Sequence, residues 1–200
     1  MMSRLMTVAS LVLALTTANI AFAAPDNNPA TMPAGQYVLE KTHASINAKV
    51  MHQGYAFYHF RFDKFDASYD YDPKDPTASK VVVTVDTKSM NTGLAKADEK
   101  FPVEFLAADK HPTATFKSNK ITLSQANKGT MAGDLTLGGV TKPIVLDVVF
   151  NGAGKDMMGM MRSGFSATTT IKRSEFGLTK YVPVIGDDVT LAIEVEFVKK

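Results

Sequence analysis

The chain has 200 residues, 45% of them hydrophobic and 21% charged, with 22 Lys and Arg against 20 Asp and Glu. It contains no cysteine and no tryptophan. The absence of cysteine excludes a disulfide scaffold, a thiolate-ligated zinc or iron–sulfur centre, and a thiol nucleophile. A net charge of +2, spread along the chain, leaves no electrostatic footprint for nucleic acid, and the apolar content is too high for a disordered chain.

Residues 1–23 read as an export signal. Arg4 supplies a positive start, Leu5 to Leu15 is mostly apolar, and Ala21-Phe22-Ala23 has the small-x-small cleavage pattern. The apolar run is too short to span a bilayer core of roughly 30 Å. The expected location is periplasmic, and the chain is not expected to be an integral membrane protein. Residues 24–35 are rich in Pro and Asn and are expected to form a disordered leader. Residues 36–200, without repeat or linker, are expected to be one domain.

The body alternates with period two. Ile46, Ala48 and Val50 share one face, with Ser45, Asn47 and Lys49 on the other. Tyr58, Phe60 and Phe62 share a face, and Phe65 breaks their phase, which predicts a bulge near Asp63–Lys64. Residues 71–76, YDPKDP, form a turn by composition, and 80–87 is rich in β-branched residues. Thr92 is placed to cap a helix over 94–100, Pro102 to open a second short helix ending near Ala108, and Pro112 to stop it. Strands follow at 113–123, 130–137, 144–150 and 163–171, with turns at Asn127-Lys128-Gly129 and Gly138-Gly139. In the last segment Leu191, Ile193, Val195 and Phe197 share a face.

Eight to ten evenly spaced strands and one helical crossing near residues 93–108 mean a sandwich or an antiparallel barrel. The barrel is favoured, because both ends of the domain are strands and closure removes exposed edges. The fold class is therefore all-β, a single lipocalin-like antiparallel barrel of about eight strands.

The segments FPVEFLAADKHPTATFKS (101–118) and GDLTLGGVTKPIVLDVVF (133–150) resemble the YceI-like family of periplasmic lipid- and polyisoprenoid-binding proteins. YVLEKTHASINAKVMHQG (37–54), RSEFGL (173–178) and IGDDVTLAIEVEF (185–197) are similar to the family's opening and closing blocks. One departure lies at Glu40-Lys41-Thr42-His43, where the family usually carries an Asp; another is Ala48, in a strand where Phe is common. The resemblance implies a barrel holding an extended apolar chain: a polyisoprenoid, an isoprenoid quinone or its precursor, a fatty acid or a fatty amide. It implies no catalytic residue, no metal and no cofactor.

An eight-stranded barrel is either filled by its side chains or holds one ligand. Large Phe mixed with small residues at inward positions (Ala44, Ala48, Gly164, Ala167, Ala192) suits an apolar tunnel. Ten buried carbons there are worth roughly 8 kcal/mol before ordering costs, at about 0.8 kcal/mol per methylene. Candidate wall residues are Ile46, Ala48, Tyr58, Phe60, Phe62, Phe116 and Phe165. The same pattern equally serves a filled core. Phe101 and Phe105, with Leu106, either cap the barrel or line its entrance, and Phe176 joins the candidates through the RSEFG block. His43, Ser45 and His52 fall where the resemblance implies a cavity mouth. Arg173 is the natural partner of an anionic head group, with an ion pair to Glu175 or Asp187 as its alternative role. His59 and His111 read as outward and turn residues.

The Met157, Met158, Met160, Met161 cluster offers thioethers that select Cu(I), or else forms a flexible hairpin tip. A metal or redox partner protein is thus the second reading. A hydrolase is the third: His43 near Ser45 is no triad, and no GxSxG motif occurs. Expected partners are the lipid ligand, with a homodimer, the membrane surface or a membrane b-type cytochrome as further candidates.

Overall fold

The computed structural model describes residues 24–200, so the expected export signal lies outside the described residues. Ten strands follow in order: β1 (Gly35–His52), β2 (Ala56–Phe62), β3 (Phe65–Tyr71), β4 (Lys80–Asp86), β5 (Met90–Asn91), β6 (Thr113–Gln125), β7 (Lys128–Leu137), β8 (Val140–Lys155), β9 (Met161–Lys172) and β10 (Ile185–Lys199). One helix, α1 (Ala95–Leu106), lies between β5 and β6. Neighbours pair antiparallel, and β10 returns to pair with β1, which closes an eight-strand barrel.

The barrel has eight positions because β2 and β3 share one. The start of β1 pairs with β3 (Val38 with Ser68), and its end pairs with β2 (Ile46 with Phe62). The break between them falls at Asp63–Lys64, where the phase change predicted a bulge. Ser89 anchors it: the Asp63 N–H donates to the Ser89 carbonyl at 3.0 Å, and the Lys64 N–H donates to Ser89 Oγ at 2.9 Å. β5 adds a two-residue patch beside β2, pairing Met90 with Phe62.

A larger irregularity sits in β1. Leu39 faces Phe197 and Ala44 faces Val195, so the four residues Glu40, Lys41, Thr42 and His43 oppose Glu196 alone. The excess backbone loops outward, which takes His43 off the inner face. Alternation does the same for Ser45. Gly133 in β7 faces the opposite requirement: the ring of Phe116 occupies the space a Cβ would take there, so glycine lets the aromatic ring lie flat on the neighbouring strand.

Three expectations are corrected. First, the crossing is one helix, not two: Pro102 lies inside it, buried, and the helix ends where Ala107 turns left-handed at φ 53°. Thr92 does act near its start, since its hydroxyl and its N–H both donate to Asp98, at 2.6 and 2.7 Å. Second, the leader is held against the barrel. Asp26 bridges Ala153, the Tyr71 hydroxyl donates to the Pro29 carbonyl, and Met32 is 2% exposed. Composition missed this because one apolar side chain and a few backbone bonds do the holding. Third, Gly164 and Ala192 belong to the outer face, since Phe165, Ala167, Ile193 and Val195 take the inner one.

Candidate functional site

The interior of the barrel is not filled. A cavity of about 460 Å³ runs inside it, within the usual range for small-molecule sites. Its wall comes from the inward residues of every strand position. Val81, Val83 and Val85 face in from β4, and Leu191, Ile193 and Val195 from β10. These β10 residues are only partly buried although they point inward, because the space before them is empty.

The two ends differ. At the leader end, Tyr37 and Tyr69 stack with ring centroids 5.0 Å apart, and Phe197 and Phe165 pack edge-on against Tyr69. The Tyr69 hydroxyl shares a buried 2.6 Å hydrogen bond with Ser163, and burial pushes its ionisation upward. Met32 and Tyr71 cover the centre of this end, and the β6–β7 tip completes its wall through Leu123 and Asn127. Ser79 also lines the cavity here; among the described residues its hydroxyl is the buried side-chain polar atom without a hydrogen-bond partner.

At the other end α1 crosses the barrel mouth. Phe101, Phe105 and Leu106 line the cavity from the helix, facing His52 and Tyr58. Phe101 lies 6.1 Å from Tyr58 and 5.1 Å from Phe105, centroid to centroid. The helix therefore both covers the mouth and forms part of the wall, which joins the two roles considered for these residues.

Of the candidate residues, Ile46, His52, Tyr58, Phe60, Phe62, Phe101, Phe105, Phe116, Phe165 and Arg173 line the cavity. Ala48 is buried on the same strand face as Ile46. Phe176, 1% exposed, packs in a cluster with Ala114, Leu137, Ile171 and Leu178 instead. His43 and Ser45 lie outside. The His43 ring is bonded to Glu40, and Ser45 Oγ accepts from Asn47 at 3.1 Å, so the two do not engage each other.

Arg173 touches the cavity, but its guanidinium is already occupied. It donates to the carbonyls of Gly186, Leu178 and Ile185, at 2.9, 2.8 and 2.9 Å. It pairs with neither Glu175 nor Asp187; Asp187 instead accepts from the Ser174 N–H and hydroxyl. Arg173 thus ties the connection after β9 to the start of β10, and burial lowers its pKa.

The outward bulge of β1 carries an ionic cluster. Arg162 donates to Asp156 at 2.7 Å and to Glu196 at 2.9 Å, and lies 3.5 Å from Glu40. Hydrogen bonds from Thr42 and His43 hold the Glu40 carboxyl down to about 2. Glu40, His43 and Glu196 bring potential ligand atoms together, but Arg162 supplies the positive charge among these carboxylates. Asp156 also caps the β8–β9 turn by accepting from the N–H groups of Met158 and Met160. Met157 and Met158 at that tip are exposed, and Met161 packs against the core.

Residues 37–197 match the YceI-like domain model. A UPF0312 protein of Vibrio cholerae is 41% identical over 186 residues, covering 90% of this chain and 96% of that protein. The chain belongs to the YceI-like family. A UPF0312 protein of Ectopseudomonas mendocina is 38% identical over 170 residues, covering 84% of this YceI-like chain and 89% of the relative. The YceI protein of Campylobacter jejuni superposes with a TM-score of 0.67 at 34% identity, covering 76% of this chain and 91% of its own. At 16% identity, a polyisoprenoid-binding domain from Saccharophagus degradans shares the fold, with a TM-score of 0.61 over 82% of this chain and 98% of that one.

Within the YceI-like barrel, several wall residues were legible as inward-facing but not as site residues. The valines of β4 and the aliphatic row of β10 are examples. Alternation showed their face, and nothing in the pattern distinguishes a wall from a core. Met32 and Ser79 carried no sequence signal at all.

Proposed function

We propose that this YceI-like protein is a periplasmic carrier or store that holds one long uncharged chain in its barrel. The carrying observation is the unfilled cavity of about 460 Å³ with an almost wholly apolar wall. Water needs two to four polar partners to occupy a buried site, and this wall offers few. A linear apolar chain gains roughly 0.8 kcal/mol per methylene by entering. The cavity's one buried guanidinium is spent on three carbonyls, which supports a neutral head group over a phosphate. The polyisoprenoid-binding description of the Saccharophagus degradans domain supports the same ligand class. The export features of residues 1–23 support the location. No catalytic role is assigned.

The test is equilibrium binding of a prenol and of the matching prenyl diphosphate to delipidated protein. The prenol is expected to bind at least as tightly. Binding of neither, or of the diphosphate alone, would overturn the reading.

A further inference from the structure

We propose that the helical end of the barrel docks on a lipid bilayer surface, and that the apolar chain enters the cavity there. This rests on the carrier reading above and adds the partner.

Three connections meet at this end and leave large apolar side chains in solvent. Tyr55 in the β1–β2 turn is 85% exposed, Tyr181 and Val184 before β10 are 54% and 59% exposed, and Val103 on α1 is 48% exposed. They are held as one rim. The Gln53 N–H donates to the Val184 carbonyl at 3.0 Å, and the Tyr181 hydroxyl donates to Glu104 of α1 at 3.3 Å. Clustered exposed apolar groups of this kind mark an interaction site.

The rim is continuous with the cavity. Aromatic contacts run from Tyr58 to Phe101 (6.1 Å), to Phe105 (5.1 Å), to Tyr181 (6.0 Å). The first three line the cavity and the last lies in solvent. A chain leaving a bilayer at Tyr181 would stay against aromatic rings until it was inside.

Residue type chooses the occupant. Lys96 and Lys100 stand four apart on the exposed side of α1 beside Val103, with exposed Glu99 between them, and Glu104 pairs with Lys180 at 2.5 Å. Exposed tyrosines and valines with lysine stems beside them match the boundary between lipid head groups and acyl chains. At the far end the exposed Met157 and Met158 line no part of the cavity.

The experiment uses the mature protein and vesicles of phosphatidylethanolamine with phosphatidylglycerol. It compares Tyr55→Ser/Tyr181→Ser/Val184→Ser with the far-end control Met157→Ser/Met158→Ser, both checked for an unchanged melt. Vesicle flotation, the uptake rate of a fluorescent prenol from vesicles, and equilibrium binding of that prenol delivered from methanol are measured. The rim variant is expected to lose more than about tenfold in flotation and in uptake rate, since each buried apolar side chain matters at that scale. Its equilibrium binding and the control's behaviour should match the wild type. Wild-type flotation and uptake by the rim variant would overturn the proposal. So would loss of flotation in the control alone, or a wild type that dimerises through the rim in sedimentation and does not float. A wild type that floats through its rim but takes up no prenol from methanol would retain the docking surface and overturn the carrier reading.

Discussion

The ring of Phe101 on the crossing helix sits 6.1 Å from the ring of Tyr58 on β2, so the lid of the barrel is fastened by the same side chains that line its cavity. Lid attachment and ligand contact are therefore coupled. Phe101→Ala removes this contact and the one to Phe105. It is expected to lower stability by only about 1–2 kcal/mol, because the ring is partly exposed and aromatic pairs are worth about 0.5–1.5 kcal/mol. Release of a bound prenol should accelerate by about tenfold or more, since the wall is opened at the mouth. Stopped-flow release with a urea melt separates the two effects. A large stability loss with unchanged release would show the ring to be core alone.

The aliphatic row of β10 gives the complementary test. Ile193 points into the empty centre, so a larger side chain there should find room. Ile193→Trp is expected to fold within about 0.5 kcal/mol of the wild type, unlike an insertion into a packed core, which costs about 1–3 kcal/mol. Its capacity for a long chain should fall sharply in calorimetric titration. Undiminished affinity in the folded variant would mean that the ligand does not pass Ile193.

Arg173 is expected to matter for folding and not for the ligand. Its bond to the Leu178 carbonyl is buried and those to Gly186 and Ile185 are part-buried, and hydrogen bonds to charged groups are worth about 1.5–3 kcal/mol each. Arg173→Ala should cost about 3 kcal/mol or more in urea denaturation. Arg173→Lys should recover less than half, because one ammonium cannot reproduce the fork. Prenol affinity of the folded fraction should be unchanged in the lysine variant. A selective loss of affinity for a phosphate-headed chain would instead assign Arg173 to the head group.

The bulge cluster predicts an acid dependence. The Glu40 carboxyl, ordinarily near 4.5, is held down to about 2 by its bonds from Thr42 and His43. A folded-state value below the unfolded one stabilises the protein above the unfolded value, and that stability is lost as pH falls from about 4.5 toward about 2. Asp156, lowered first by its hydrogen bond with Arg162, acts in the same direction. In melts across this range, Glu40→Gln should flatten part of the slope while lowering stability at neutral pH. An unchanged slope would show the cluster to be uncoupled from folding.

Much of this architecture was legible because alternation is a direct consequence of strand geometry. The inward face of β10, the Tyr58–Phe62 face and the break at Asp63–Lys64 all follow from period two alone. The four-residue bulge at Glu40–His43 was not legible, because it depends on how many residues of β10 oppose β1. The resemblance alone puts His43 and Ser45 at the mouth; alternation turns Ser45 outward, and the bulge takes His43 off the inner face. Arg173 was recognised as important, but sequence could not show that backbone carbonyls had claimed it. The docking of the leader is not legible for a related reason: Met32 is a single large apolar residue among Pro and Asn, and only the closed barrel gives it a place to sit.

The most direct measurement is native mass spectrometry of the protein released from its source compartment without detergent, followed by organic extraction. A one-to-one complex with an apolar, uncharged species of several hundred daltons is expected, absent from Ile193→Trp. A spectrum of bare protein that then takes up neither a prenol nor a fatty amide would contradict it.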